Sequence, residues 1–201
     1  MASPARTYLA LGDSYTIGEG VPLFDSFPYQ VVQLLRKSGL NFHAPEIIAK
    51  TGWSTDELIE GIHSNLLQSA YDFVTLLIGV NNQYRGRSIE EYSPQFEQLL
   101  IRAIEFSGNH PSHVIVLSIP DWGATPFAAD RDQKKISGEI NAFNAVNKNI
   151  AAQYKAHYVD ITPGTRASAK DETMLTADKL HPSGKEYFLW ASRVAQIIQS
   201  L

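Results

Sequence analysis

The chain has 201 residues, 44% of them hydrophobic and 19% charged, and fits one domain over residues 1–201, able to bury roughly 70% of its unfolded surface. A formal charge of −4 gives no electrostatic ground for a nucleic-acid or anionic-membrane partner. With no cysteine, disulfides, thiolate metal sites and a cysteine nucleophile are all excluded.

The opening MASPARTYLALGDS holds no apolar stretch of signal-peptide length. The longest apolar run, around Phe73 to Val80, is far too short to span a bilayer. A soluble, cytoplasmic protein without stable membrane insertion is expected. The first strand is predicted over Thr7–Leu11, and it runs straight into Gly12-Asp13-Ser14. A second strand over Glu46–Ala49 leads to Gly52 and then to Ser54 and Glu57, an S-x-x-E capping box that starts a helix. The third strand, Phe73–Ile78, ends before Asn81; a second capping box, Ser88 with Glu91, opens a helix carrying Leu99, Leu100, Ala103 and Ile104 on one face. The fourth strand, His113–Ser118, precedes an irregular stretch, Pro120–Asp130, and then a helix from about Asp132 to Tyr154. After a short fifth strand, His157–Val159, a second irregular stretch covers Ile161–Leu180. Ser183 with Glu186 reads as a third capping box, and Tyr187, Trp190, Val194, Ile197 and Ile198 lie at core spacing on the last helix.

Short β-rich runs alternating with helical periods mark a parallel α/β sheet, though the alternation alone allows several doubly wound strand orders. In such sheets ligands bind outside the carboxyl ends of the strands. Ser14 stands at that rim. A serine hydroxyl is a poor nucleophile until a neighbouring base takes its proton, so a histidine is needed beside it. Of the six histidines, His43, His113 and His157 begin strands, His63 lies mid-helix and His110 occupies a Gly-Asn-His-Pro turn. His181 differs, because Asp178 precedes it by three residues in TADKLHPSG. A carboxylate at that spacing can accept the Nδ1 proton and leave Nε2 facing a serine.

LALGDSYTIGEG resembles the first block of the SGNH, or GDSL, hydrolase family, and DKLHPSGKEYFLWA its last. Between them KTGWST supplies the second-block glycine, Gly52, and LLIGVNNQYRG resembles the third block, with Asn81 in its informative position. The resemblance implies a flavodoxin-like α/β/α fold with strand order 2-1-3-4-5, a Ser14–His181–Asp178 triad, and oxyanion-hole donors from Ser14, Gly52 and Asn81. It also implies a small-molecule ester substrate and no metal or organic cofactor. One departure stands out: Asn82 occupies a position where the block commonly carries Asp. Ser54 also follows a glycine, but its capping box accounts for it. No G-x-S-x-G, Walker lysine, dinucleotide fingerprint or metal-ligand spacing is present.

Residues shortly after strands that could face substrate are Tyr15, Trp53, Tyr84, Arg85, Trp122 and Phe127. The absence of a long lid segment favours a shallow cleft and short-acyl or acetylated substrates, sugar acetates among them, with lysophospholipid or thioester hydrolysis left open. Two other readings remain open at this stage: an acyltransferase using the same acyl-serine, and a non-catalytic α/β binding module whose Gly-Asp-Ser is only a turn.

Overall fold

The computed structural model describes residues 4–201; the first residues of the segment read for a leader lie outside it. Five parallel strands run in the order 2-1-3-4-5: β1 Tyr8–Gly12, β2 Glu46–Ala49, β3 Phe73–Leu77, β4 Val114–Leu117 and β5 His157–Val159. The expected strands recur with ends moved by a residue or so. His113 is the exception, lying in a 3₁₀ turn, Pro111–His113, ahead of β4. Every residue of β1, β3 and β4 is buried, whereas the edge strands β2 and β5 are only partly covered. That is the pattern of a sheet covered on both faces, and it explains why the central strands read as unbroken apolar runs.

The helices are α1 Ser14–Ile17, α2 Phe27–Lys37, α3 Thr55–His63, α4 Val80–Tyr84, α5 Ile89–Phe106, α6 Gln133–Gln153, α7 Thr162–Ser168 and α8 Gly184–Gln199. In one layer α2 packs on α8; in the other α5 packs on α3 and α6. Trp190 of α8, 2% exposed, meets Tyr187 edge-on and Phe27 of α2 at a tilt. Its aromatic neighbours on α8 therefore serve packing.

One of the three capping boxes forms with both its bonds, and a second forms by half. The Ser54 N–H donates to Glu57 Oε2 at 2.8 Å, and Ser88 Oγ accepts from the Glu91 N–H at 3.2 Å. The third does not: Ser183 Oγ donates instead to the Thr173 carbonyl at 2.8 Å. Glu186 turns inward, accepting from Trp190 Nε1 at 2.8 Å and from Ser168 Oγ. The stretches expected to be irregular hold structure as well. Pro120–Asp130 contains two 3₁₀ turns, and Ile161–Leu180 contains α7 and a further turn at Glu172–Met174. Pro94 lies inside α5.

The register aligns the rim. Gly12 pairs with both Ala49 and Leu77, and Leu117 pairs with Val159. The loops that leave β1, β2, β3 and β4 therefore emerge along one edge of the sheet.

Candidate active site

At the end of β1 the chain turns sharply into α1, a single turn of helix. Gly12 makes that turn possible: a Cβ there would lie 2.1 Å from Thr16 Oγ1 and 2.5 Å from the Leu77 carbonyl oxygen. Asp13 caps α1, its Oδ1 accepting the Tyr15 N–H at 3.0 Å. The Asp13 side chain is fully buried and its Oδ2 has no partner among the described residues. Burial pushes its carboxyl up to about 7, against the pull of the backbone hydrogen bonds. Ser14 follows as the first residue of α1, so its N–H has no acceptor within the helix and points out at the rim.

The loop before α8 brings the histidine to this point. Leu175 bridges Pro182, the Thr176 N–H donates to the His181 carbonyl at 2.8 Å, and Lys179 adopts a left-handed conformation, folding the segment back on itself. His181 Nε2 lies 3.0 Å from Ser14 Oγ. Its Nδ1 lies 2.6 Å from Asp178 Oδ2. Asp178 Oδ1 meanwhile accepts from the Leu180 and His181 N–H groups and from Thr176 Oγ1, at 2.9, 3.0 and 2.6 Å. Partial burial pushes the Asp178 carboxyl up, but the bonds from His181, Thr176 and the two backbone groups outweigh it and hold the group well below the usual carboxylate range. The carboxylate therefore stays ionised and fixes the imidazole.

Opposite Ser14, Gly52 sits in the loop after β2 with φ +83°, a left-handed conformation that a side chain disfavours. Asn81, in the first turn of α4, donates from Nδ2 to the Trp53 carbonyl at 2.9 Å; the second hydrogen of that amide remains available. Ser14, Gly52, Asn81 and His181 share one open cleft of about 180 Å³. The buried ring of Tyr15 forms its floor and packs at 4.9 Å against the His181 ring. The wall is aromatic: Trp122 meets Tyr84 edge-on at 5.1 Å and Phe127 at 6.2 Å. Tyr15, Tyr84, Trp122 and Phe127, read from the sequence as able to face substrate, all line this cleft.

Trp53 and Arg85 do not line the cleft. The Trp53 indole packs on α3, so close to Gly61 that a Cβ there would lie 2.3 Å from the ring; only the Trp53 carbonyl faces the site, through Asn81. The Arg85 guanidinium is engaged by Gly52, Ser54 and Glu57. Arg87, two residues further on, pairs with Asp56 and Glu91. Ser54 Oγ donates to Asp56 and Glu57, in keeping with its capping place.

Three contributors escaped the sequence. Gln83 accepts from Trp122 Nε1 at 2.7 Å and donates to Glu139 at 2.8 Å, locking the wall. Asn144 bonds both backbone groups of Ile119, at 2.7 and 3.0 Å, anchoring the loop that carries Trp122. Arg166 pairs at 2.7 Å with Asp121, whose side chain is wholly buried. Nothing local to any of them announces a partner tens of residues away. Thr51 and Leu180, also on the cleft, could have been found as neighbours of Gly52 and His181. Among the described residues no cluster of histidines and carboxylates is arranged to hold a metal ion, and no helix is long and apolar enough to cross a membrane.

The fold is shared widely. An acetylxylan esterase from Geobacillus stearothermophilus superposes with a TM-score of 0.73 at 18% identity, covering 98% of this chain and 96% of its own. A lipase/acylhydrolase from Enterococcus faecalis gives 0.71 at 21%, covering 97% and 96%. A member of the lipolytic G-D-S-L family from Veillonella parvula gives 0.72 at 19%, covering 98% and 100%. At these identities the likeness is one of fold. No curated protein sequence matches the chain. The model of the GDSL-like lipase/acylhydrolase family, however, matches residues 10–187, and the chain belongs to that family. It is accordingly a carboxylic ester hydrolase.

Proposed function

We propose that the protein hydrolyses short-acyl esters, acetylated sugars among them, with Ser14 as nucleophile, His181 as base and Asp178 as its orienting partner. One observation carries this reading: the continuous line from Ser14 Oγ through His181 to Asp178, with separations of 3.0 and 2.6 Å. As Ser14 Oγ attacks the ester carbonyl carbon, its proton passes to His181 Nε2, and the imidazolium is held by ionised Asp178. The carbonyl oxygen becomes an oxyanion, received by the N–H groups of Ser14 and Gly52 and the amide of Asn81. Collapse breaks the bond to the alcohol oxygen, which takes the proton from His181, and an acyl-serine remains. Water then gives a proton to the same nitrogen while attacking the acyl carbon, and the acid leaves with Ser14 restored.

The small, half-open cleft and its aromatic wall support a short acyl group or a compact alcohol. The expected outcome is turnover of p-nitrophenyl acetate by the wild type and none above background by Ser14→Ala. A Ser14→Ala protein with wild-type rates would exclude Ser14 as nucleophile. Release of acetate from acetylated sugars, measured beside simple alkyl acetates, tests the substrate class. Product analysis with a competing alcohol measures how far the acyl-serine is passed to alcohols instead of water.

A further inference from the structure

The loop carrying Gly52 is thinly supported. Thr51 is exposed and Gly52 and Trp53 are only half-buried. Around the place where a Gly52 Cβ would stand, Arg85 Nη2 is the sole heavy atom of the described residues within 4 Å, apart from those of Gly52 and its two chain neighbours. Packing holds this segment only through the Trp53 indole on α3, and around Gly52 itself hydrogen bonds must do the rest. Besides the bonds from Thr51 to Glu19 and from the Trp53 N–H to Lys50, they come from α4 and its C-cap residue Arg85, at spacing i, i+1 and i+4 from Asn81. Arg85 Nη2 donates to the Gly52 carbonyl at 2.7 Å, and Asn81 to the Trp53 carbonyl at 2.9 Å. Arg85 Nη1 donates to Ser54 Oγ at 3.1 Å and Glu57 Oε2 at 2.9 Å. Asn82 accepts from the Thr55 N–H at 3.1 Å and donates to Thr55 Oγ1 at 2.7 Å. Four consecutive residues are thus held from one short helix.

From this we infer that Arg85 is a positioning residue for the oxyanion hole, tying the Gly52 loop to α4 so that the Gly52 N–H and the Asn81 amide are set at a fixed separation. The inference rests on the oxyanion-hole reading of Gly52 and Asn81 above. Arg85 itself is not among the residues that line the cleft. Its planar fork spans the Gly52 carbonyl and the Ser54–Glu57 cap at once, which the single ammonium of a lysine cannot reproduce. The ion pair with Glu57 is about two-fifths exposed on each side, and pairs of that exposure contribute little to folding. The link therefore acts on geometry more than on stability. The Asn82 amide completes the clamp, because it offers a donor and an acceptor to the same threonine where a carboxylate could only accept.

The test compares Arg85→Ala, Arg85→Lys and Asn81→Ala on p-nitrophenyl acetate, with thermal melts and the inhibition constant of a boronic acid that forms a tetrahedral adduct on Ser14. Arg85→Ala is expected to lower kcat by about 10- to 100-fold with KM nearly unchanged. Boronate affinity should weaken by a similar factor while the melting temperature barely moves. Arg85→Lys should recover only part of the loss. Added guanidinium, but not methylammonium, should restore kcat to Arg85→Ala. Wild-type kcat in Arg85→Ala beside a depressed Asn81→Ala would overturn the role of Arg85 and leave the oxyanion hole standing. Wild-type kcat in Asn81→Ala would overturn the oxyanion-hole reading and the inference with it. If Arg85→Ala does not fold, Arg85→Lys decides: unchanged kcat and boronate affinity in that variant overturn the inference.

Discussion

Single residues divide the electrostatic work of the site. Asp178 is held ionised by four hydrogen bonds, and in Asp178→Asn the amide oxygen can keep the backbone donors. The amide nitrogen then faces His181 Nδ1 and selects the tautomer whose Nε2 carries a proton, so Ser14 loses its base. That substitution should lower kcat by about 10⁴-fold, with a still larger loss for His181→Ala; steady-state rates on one ester decide, and the reverse ranking would overturn the roles. Asp13 is the opposite case. Its carboxyl is raised by burial from 3.8 to about 7, so between those values the folded chain holds a proton that the unfolded chain has lost. Stability attributable to this group is therefore greatest at low pH and falls as pH rises toward about 7. Asp13→Asn keeps the cap on Tyr15 and removes the titration. Its melting temperature relative to wild type should climb between about pH 4 and about pH 7 and level off above that. A difference that stays flat over that range would mean that Asp13 does not titrate there. The proposed trio was legible because each member announces itself locally: Ser14 by the strand-to-turn break, Asp178 and His181 by a three-residue spacing. The buried state of Asp13 was not, since a capping aspartate has the same sequence whether water reaches it or not.

At the level of elements, β1 and α1 operate as one piece, a buried strand delivering a one-turn helix to the rim. The joint at Gly12 tolerates no side chain, because one obstacle is the backbone carbonyl of Leu77 on the neighbouring strand, which cannot swing aside. Gly12→Ala should cost about 1–3 kcal/mol of stability through overpacking, and it should lower kcat by shifting Ser14 from His181. Denaturant midpoints together with titration of reactive Ser14 measure both; an unaltered midpoint would show that the strands can part there freely. The strands were readable because central parallel strands are apolar on both faces. The helices were readable where a capping serine met a period of 3.6. The pattern misled at Ser183, because S-x-x-E cannot say whether its glutamate reaches back to the cap or inward, and here Trp190 and Ser168 draw Glu186 into the core. It missed α7, whose Pro163 and Gly164 are poor helix formers; the helix is instead secured by Ser118 and Asp160 accepting its first N–H groups and by Arg166 pairing with Asp121. Trp53 and Arg85 were placed in the right loop and turn, but the Trp53 indole turns to Gly61 and the Arg85 guanidinium to Glu57 and Gly52, 28 and 33 residues back, a pairing no local window shows.

Over the whole molecule, the cleft exists because parallel strands in register end along one edge, so loops from β1, β2, β3 and β4 meet the segment ahead of α8. What the alternation of strands and helices could not supply was the shape of the space between those loops. That shape comes from cross-chain contacts: Gln83 holding Trp122, Asn144 holding Ile119, and the Phe127 N–H reaching the Lys179 carbonyl at 3.3 Å. The wall opposite Ser14 is consequently a fixed one, with Trp122 only 5% exposed. A growing acyl chain gains about 0.8 kcal/mol for each methylene it buries, roughly fourfold in kcat/KM, but only while apolar room remains. In a cleft of about 180 Å³ bounded by that wall, the room ends early. Across a series of p-nitrophenyl esters, kcat/KM should peak among acetyl to butyryl and fall for octanoyl and longer chains. Trp122→Ala removes the fixed part of the boundary and should move the peak to longer acyl groups, while leaving the acetyl ester a substrate. If both proteins give the same chain-length profile, the aromatic wall does not set the acyl limit, and the preference must arise on the open side of the cleft.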